Sequence, residues 1–415
     1  MKNKIKRQLE QLNRLWEIPE ARTYFIAMLL QNLAGGWFFA TYVLFLVSRG
    51  MSLQQANLIN AIFMTLSFVL DPFTGKLADR VGQGRVYGWG QWSWALGFLV
   101  YAVGGSFWHF ALAEGISAIG HALMSEALES WLRNKTDEKT AHETMSTTGS
   151  IASLAVIPTA ILGGMVGARW GLEWPWVVAG LSSALAAILT RRMLTKFADV
   201  KETGETGPEA LSVREVAWLT LRSSKLRYTL LIAFGVGMSV MPFNMFWAPV
   251  VKEVGGEVKW LGAMWIPIAI FISIGSIWAR RQTGANSVAK AVALIGAPMV
   301  LPVFWPKLWP VVAFFSMHEI GRGAIKPILF TYSNRQIENH YRSTANSIRS
   351  ACWTLGGATG LILSGFLTRL LSPIEIWAVA GATLLAVAGY ALKPPNPSVQ
   401  SPPSPSLTRG GGKFQ

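Results

Sequence analysis

Twelve long apolar runs divide this chain, at 22–47, 54–74, 86–106, 109–133, 145–168, 174–191, 227–250, 260–280, 287–304, 309–332, 345–369 and 373–392. Crossing the hydrocarbon core of a bilayer takes roughly 20 apolar residues at about 1.5 Å of rise each, and the runs are about that long. Membrane barrels would instead show alternating segments of about ten residues, so helices fit and strands do not. A soluble reading fails on composition, because 51% of residues are hydrophobic and only 14% are charged. The expected fold class is an all-α polytopic membrane protein with twelve transmembrane helices.

The formal net charge of +15 raises the question of nucleic acid. With the N-terminus on the cytoplasmic side, the outer loops hold only Arg49, Arg169, Lys252, Lys259, Lys307 and Arg369, six of 37 basic residues. Nearly all the others gather in the cytoplasmic connections, as the positive-inside rule requires, so the basicity reports topology and no nucleic acid is expected. Both termini are then cytoplasmic in a multi-pass protein of the cell membrane. No cleavable signal peptide is read in the polar amphipathic segment 1–21. The single cysteine, Cys352, excludes internal disulfides and cysteine-based metal sites. The segment 192–226 separates a bundle at 22–191 from one at 227–392, six runs each, and reads as a cytoplasmic linker with a short amphipathic helix near 208–221. The tail at 393–415, rich in Pro, Ser and Gly, is expected to be disordered.

An internal repeat relates the halves. Gly75, Arg80 and Gly84 recur as Gly275, Arg280 and Gly284, while Asn134, Glu138, Thr144 and Ser150 recur as Asn334, Glu338, Thr344 and Ser350, always 200 residues on. That offset holds six runs, an even number, so both halves enter the membrane the same way round, as parallel repeats about an axis along its normal. Together with GKLADRVG between runs two and three, this organisation resembles the major facilitator superfamily. Gly75, Leu77, Ala78, Asp79, Arg80 and Gly82 match the signature of that family, whereas Gln83 and Gly84 stand where two basic residues are expected and Arg85 follows. The segments DPFTG at 71–75, EALESWL at 126–132 and IKPILFTYSNRQIENHYRSTANS at 325–347 resemble a multidrug-efflux-like branch. The resemblance implies two parallel six-helix bundles with pseudo-two-fold symmetry. It also implies a cytoplasmic latch at Gly75, Asp79, Arg80, Gly82 and Arg85, with Gly75 and Gly82 expected to permit a tight turn.

The resemblance assigns the walls of a midplane cavity to helices 1, 4, 7 and 10, which carry unusual polar residues. Helix 4 has Glu114, His121, Ser125 and Glu129 on one face. Helix 10 has His318, Glu319, Arg322 and Lys326, helix 1 has Gln31 and Asn32, and helix 7 has Asn244. An ionised group in hydrocarbon costs several kcal/mol or more, so these faces must meet water, substrate or one another. Glu114 is the first candidate for proton coupling. Glu319 and Arg322 can form a structural ion pair or serve substrate and proton, and His121 and His318 can pack the bundle or carry protons. Trp108, Trp174, Trp176 and Trp260 read as an interfacial belt. Phe38, Met241, Phe243 and their neighbours on helices 1 and 7 can line an apolar pocket or face lipid.

No enzyme is expected. The phosphate-binding Gly-x-x-x-x-Gly-Lys-Ser/Thr loop is missing, the His-Glu pair at 318–319 lacks the second His of a zinc protease, and no cofactor or metal is implied. Energy must then come from a gradient. The sequence reads as a secondary active transporter working by alternating access, exporting an amphipathic or drug-like small molecule against entering protons. Its partners are the lipid bilayer, a small-molecule substrate and H+, and a monomer is expected. Uptake of an organic anion or polar metabolite, with Arg322 and Lys326 as charge partners, is the alternative within transport. A membrane receptor or scaffold that keeps the transporter fold without cycling is the alternative outside it.

Overall fold

The computed structural model describes residues 13–125, 127–197, 222–282, 284–335 and 342–395. Among these residues the chain forms twelve long helical segments. The first half comprises α1 (Pro19–Ser48), α2 (Leu53–Val81), α3 (Gln83–Val103), α4 (Phe107–Ser125, resuming as Ala127–Lys135), α5 (Glu138–Ala152, then Val156–Trp170) and α6 (Trp174–Leu194). The second half comprises α7 (Ser224–Glu253), α8 (Val258–Ala279), α9 (Ala285–Val303), α10 (Leu308–Asn334), α11 (Arg342–Leu367) and α12 (Pro373–Ala391). Eight of them are long and apolar enough to cross a membrane by length and composition alone. The segment expected as an amphipathic helix near 208–221 and most of the tail lie outside the described residues.

Local chemistry starts several of these helices. Ser52 accepts a hydrogen bond from the Gln55 amide at 3.1 Å while the Gln55 side chain accepts from the Ser52 amide at 2.9 Å, a reciprocal cap on α2. Ser372 and Glu375 repeat the device on α12, and Pro373 occupies its first turn, where a missing amide costs nothing. α1 is broken by a 3-10 turn at Gly36–Phe38.

The GKLADRVG stretch is not the loop expected from sequence. α2 runs on to Val81, so Gly75, Asp79 and Arg80 are helical, and the span placed at 54–74 is longer. Gly82 alone makes the turn, with φ at 106°, a backbone conformation that strongly favours glycine, and Arg85 already sits in the first turn of α3. Leu, Ala, Lys and Arg at 76–80 are good helix formers, and one glycine suffices to reverse the chain. α5 likewise begins at Glu138, ahead of the apolar run placed at 145–168.

Helix neighbours repeat between the halves. α3 packs on α4, α6 on α3, α2 on α4, α6 on α1 and α1 on α5; their counterparts six helices later are α9 with α10, α12 with α9, α8 with α10, α12 with α7 and α7 with α11. The halves meet through α2 with α11 and α5 with α8, a pair of contacts that the same permutation exchanges. This is the pseudo-two-fold arrangement implied by the 200-residue repeat.

Both contacts include close approaches at the end of the bundle opposite the chain termini, the distal end. The Ser364 hydroxyl lies 3.3 Å from Asn57 Oδ1, and Arg369 Nε donates to Gln54 Oε1 at 2.9 Å. On the other side a Cβ at Gly262 would collide with the Ala160 carbonyl, so glycine is what lets α5 and α8 touch. Gly163 of α5 likewise lies against a backbone carbonyl, that of Trp37. Buried apolar side chains of α7 to α10 and α12, with Ala40 and Leu44 of α1, form one core, and a second gathers α1 to α4 and α6 around Trp176.

Candidate functional site

A cavity of about 430 Å³ lies between the halves, bounded by residues of α1 to α4, α6 to α8 and α10. On the first-half wall Glu114, 5% exposed, accepts hydrogen bonds from the Tyr42 hydroxyl at 2.6 Å and the Tyr101 hydroxyl at 2.7 Å. The two hydroxyls are 3.3 Å apart. Among the described residues no basic side chain lies within ion-pair distance of Glu114. The tyrosines are fixed by aromatic packing. Trp176 stacks on Tyr101 at 4.1 Å between ring centres and on Phe38 at 3.9 Å, both nearly parallel. The 3-10 turn of α1 presents Phe38 to this stack.

The second-half wall carries a compensated charge. Arg322 Nη1 donates to Glu319 Oε1 and to Asn244 Oδ1, each at 2.9 Å, which joins α10 to α7. Glu319 is fully buried and its second oxygen has no partner. His318 stands behind it, fully buried, with its ring 4.2 Å from that of Phe243 and its Nε2 3.6 Å from Glu319 Oε1.

A second cavity of about 590 Å³ lies towards the end that holds the chain termini. Asp71 on α2 and Lys326 and Arg349 on α10 and α11 line it. Lys326 sits over the Trp353 ring at 5.4 Å, and Arg349 over Phe330 at 5.5 Å. Phe63 and His121 line both cavities.

Of the residues singled out from sequence, Glu114, His121, Asn244, Glu319 and Arg322 come together in the first cavity. Lys326 belongs to the second. Gln31 lines neither; it accepts a hydrogen bond from Tyr87 at 2.9 Å inside the first half, and Asn32 donates to its own helix at Met28. His318 packs behind the wall. Gly75, Asp79, Arg80, Gly82 and Arg85 lie at the α2 to α3 junction. Trp176 is not part of the interfacial belt expected for it: it is 1% exposed in the aromatic stack, whereas Trp108 and Trp260 are 78% and 63% exposed at helix ends. Tyr42, Asn60, Tyr101 and Asp71 line the cavities without having been singled out.

A helical bundle built from two parallel halves with a polar, aromatic-walled cavity between them is the architecture of a membrane transporter. Residues 24–306 match the family model of the Major Facilitator Superfamily. The chain belongs to that superfamily, a family of membrane transporters and not a class of enzymes. Among curated proteins it is similar to the uncharacterized MFS-type transporter YxaM of Bacillus subtilis (strain 168), 21% identical over 83% of this chain and 87% of that protein. It is similar at the same identity to the quinolone resistance protein NorA of Staphylococcus aureus (strain COL), covering 83% of this chain and 88% of NorA. Among solved structures it resembles the nucleoside transporter NupG, with a TM-score of 0.72 at 12% identity over 90% of this chain and 98% of that one. A mutant of the peptide transporter POT in complex with sulfate gives 0.71 at 13%, over 90% and 93%. At these identities the structural likeness is one of fold.

Proposed function

We propose that the protein is a secondary active transporter that exports an amphipathic or drug-like small molecule in exchange for protons. The observation that carries this reading is Glu114, a buried carboxyl held by two neutral hydroxyls inside a cavity walled by aromatic rings. Tyrosine hydroxyls can donate to a carboxylate and accept from a carboxylic acid, so the same site accommodates either form as a proton comes and goes. Flat apolar walls with few polar groups suit an amphipathic solute. Alternating access then rocks the halves about the α2 with α11 and α5 with α8 contacts. The Gly75 to Arg85 junction latches the end holding the termini, which faces the cytoplasm, and the monomer is the working unit. NorA, similar in sequence, is named for quinolone resistance, which agrees with export.

Uptake of an organic anion at Arg322 and Lys326 has less support, since Arg322 already meets Glu319 and Asn244 and Lys326 lies in the other cavity. The test is proton counterflow in pH-clamped liposomes holding the purified protein, against a panel of lipophilic cations and organic anions. Cation-driven proton movement lost in Glu114→Gln supports export. Anion-driven flux lost only in Arg322→Ala replaces it with the anion reading. Silence across the panel, with substrate still bound, makes the protein a receptor or scaffold.

A further inference from the structure

We propose that one face of α4 is the route by which protons pass between the second cavity and Glu114, by way of Asp71 with Ser125, then His121, then Ser117. The inference rests on the proton-coupled reading above and assigns the path that such coupling takes.

The spacing comes first. Residues 114, 117, 121 and 125 follow one another at three, four and four, so they form one stripe with about one helical turn per step, roughly 16 Å in all. Their surroundings come second. His121 is the titratable side chain that the two cavities share. Ser125 lies 3.3 Å from Asp71 Oδ1, which lines the second cavity. At the far end Ser117 and Glu114 both line the first. Third, the middle of the stripe is unsatisfied. Ser117 is 3% exposed, yet its Oγ has no hydrogen-bond partner, and the buried Nδ1 of His121 has none either. A buried polar atom left without a partner is costly, so two in a row beside open volume call for water between them. Hydroxyl, imidazole and carboxyl groups linked by water are the parts from which a proton path is made.

The balance is simple. A proton from water in the second cavity binds one ring nitrogen of neutral His121, and the other nitrogen releases one towards Ser117. Water and the Ser117 hydroxyl pass it to the Glu114 carboxylate, which becomes a neutral carboxyl. One proton is taken from water and one O–H bond forms at Glu114, while His121 is left as its other tautomer, which returns by ring rotation or by proton exchange with water before the next proton passes. Asp71 on α2 offsets the transient imidazolium charge, Phe63 packs on the ring at 5.4 Å, and Lys326 and Arg349 stand on the second-half wall of the same cavity.

The path is tested without knowing the substrate. The carboxyl infrared band of Glu114, identified by its loss in Glu114→Gln, is followed in the purified full-length protein after a rapid pH jump. Slowing of its protonation by about tenfold or more in His121→Gln, with the final amplitude kept, is the expected result. Ser117→Ala is expected to slow it less, and imidazole in the buffer to restore the rate in His121→Gly, which a packing role would not allow. An unchanged rate in both His121→Gln and Ser117→Ala overturns the path, as does a Glu114 band that ignores pH. The transport reading fails separately: if the band behaves as expected but liposomes show no proton-linked flux, the path stands and the coupling to export falls.

Discussion

Glu114 in the first half and Glu319 in the second line the same cavity, yet the first is held by two tyrosine hydroxyls and the second by a guanidinium and, behind it, an imidazole. The 200-residue repeat does not relate them. Glu114 falls on Phe314 under that offset, and Glu319 falls on Ile119. Repeated residues at helix ends and a repeated set of helix neighbours coexist with a cavity whose two walls differ. Duplication therefore explains the scaffold, and the chemistry was placed on each half independently. The carboxyl among neutral donors is the one we propose to exchange its proton, while the one tied to Arg322 and, through it, to Asn244 joins α10 to α7.

The largest test of that contrast removes the guanidinium. Arg322→Ala leaves Glu319 as a buried charge without its partner, a change that costs about 3–5 kcal/mol in comparable sites. The midpoint of thermal unfolding in detergent should fall accordingly, and adding Glu319→Gln should recover most of the loss. If the single variant is as stable as the parent, the pair is not a fastener and the contrast between the walls disappears. Glu114→Gln is the converse. It keeps an acceptor for the tyrosines, so its unfolding midpoint should change little, while proton-linked flux falls by about a hundredfold. A Glu114→Gln protein that still couples would move the proton to Glu319.

The gap between what the sequence displays and what it hides follows the same line. Long apolar runs displayed the twelve helices, because a membrane helix must be apolar for most of its length. The two cavity helices that carry most of these charges broke that rule: neither α4, with Glu114 and His121, nor α10, with His318, Glu319, Arg322 and Lys326, is among the eight that qualify on composition. Their charges made them conspicuous, so Glu114, His121, Glu319 and Arg322 were legible. Tyr42, Tyr101 and Trp176 were not, since an aromatic residue in a membrane helix reads the same whether it faces lipid, headgroups or a cavity. Only the packing of α1, α3 and α6 against one another brings those three to Glu114. The helix ends were missed where polar sequence stays helical, as in GKLADRVG, because hydropathy records the bilayer and not the helix.

The contact between the halves differs from side to side as well. α2 and α11 meet through Asn57, Ser364, Gln54 and Arg369, whereas α5 and α8 meet backbone to backbone at Gly262. Gly262→Val should therefore cost about 1–3 kcal/mol by forcing the helices apart, and it should widen a spin-label distance across the distal end. Asn57→Ala loses one bond across the contact, worth about 1 kcal/mol, and one to its own helix at Leu53, and should leave that distance unchanged. Equal effects from the two variants would make the contacts interchangeable despite their different chemistry.

The smallest effect is expected at a carboxyl outside the membrane, which completes the series from buried and paired to exposed. Asp137 caps the start of α5: its oxygens accept from the Thr140 amide at 3.0 Å and from the Thr140 hydroxyl at 2.5 Å. Those bonds favour the ionised form and hold its pKa below the ordinary 3.8. A depressed carboxyl contributes its stabilisation above the unfolded value and loses it as pH falls through the folded one. Protection of the Thr140 amide against hydrogen exchange, corrected for the intrinsic rate, should thus persist at pH 4 and fade only below 3.8. In Asp137→Asn that pH dependence should vanish while the cavity and its flux are untouched. Loss of flux in that variant would mean that the first turn of α5 is coupled to Glu114, and that the exposed and buried carboxyls of the first half do not act separately.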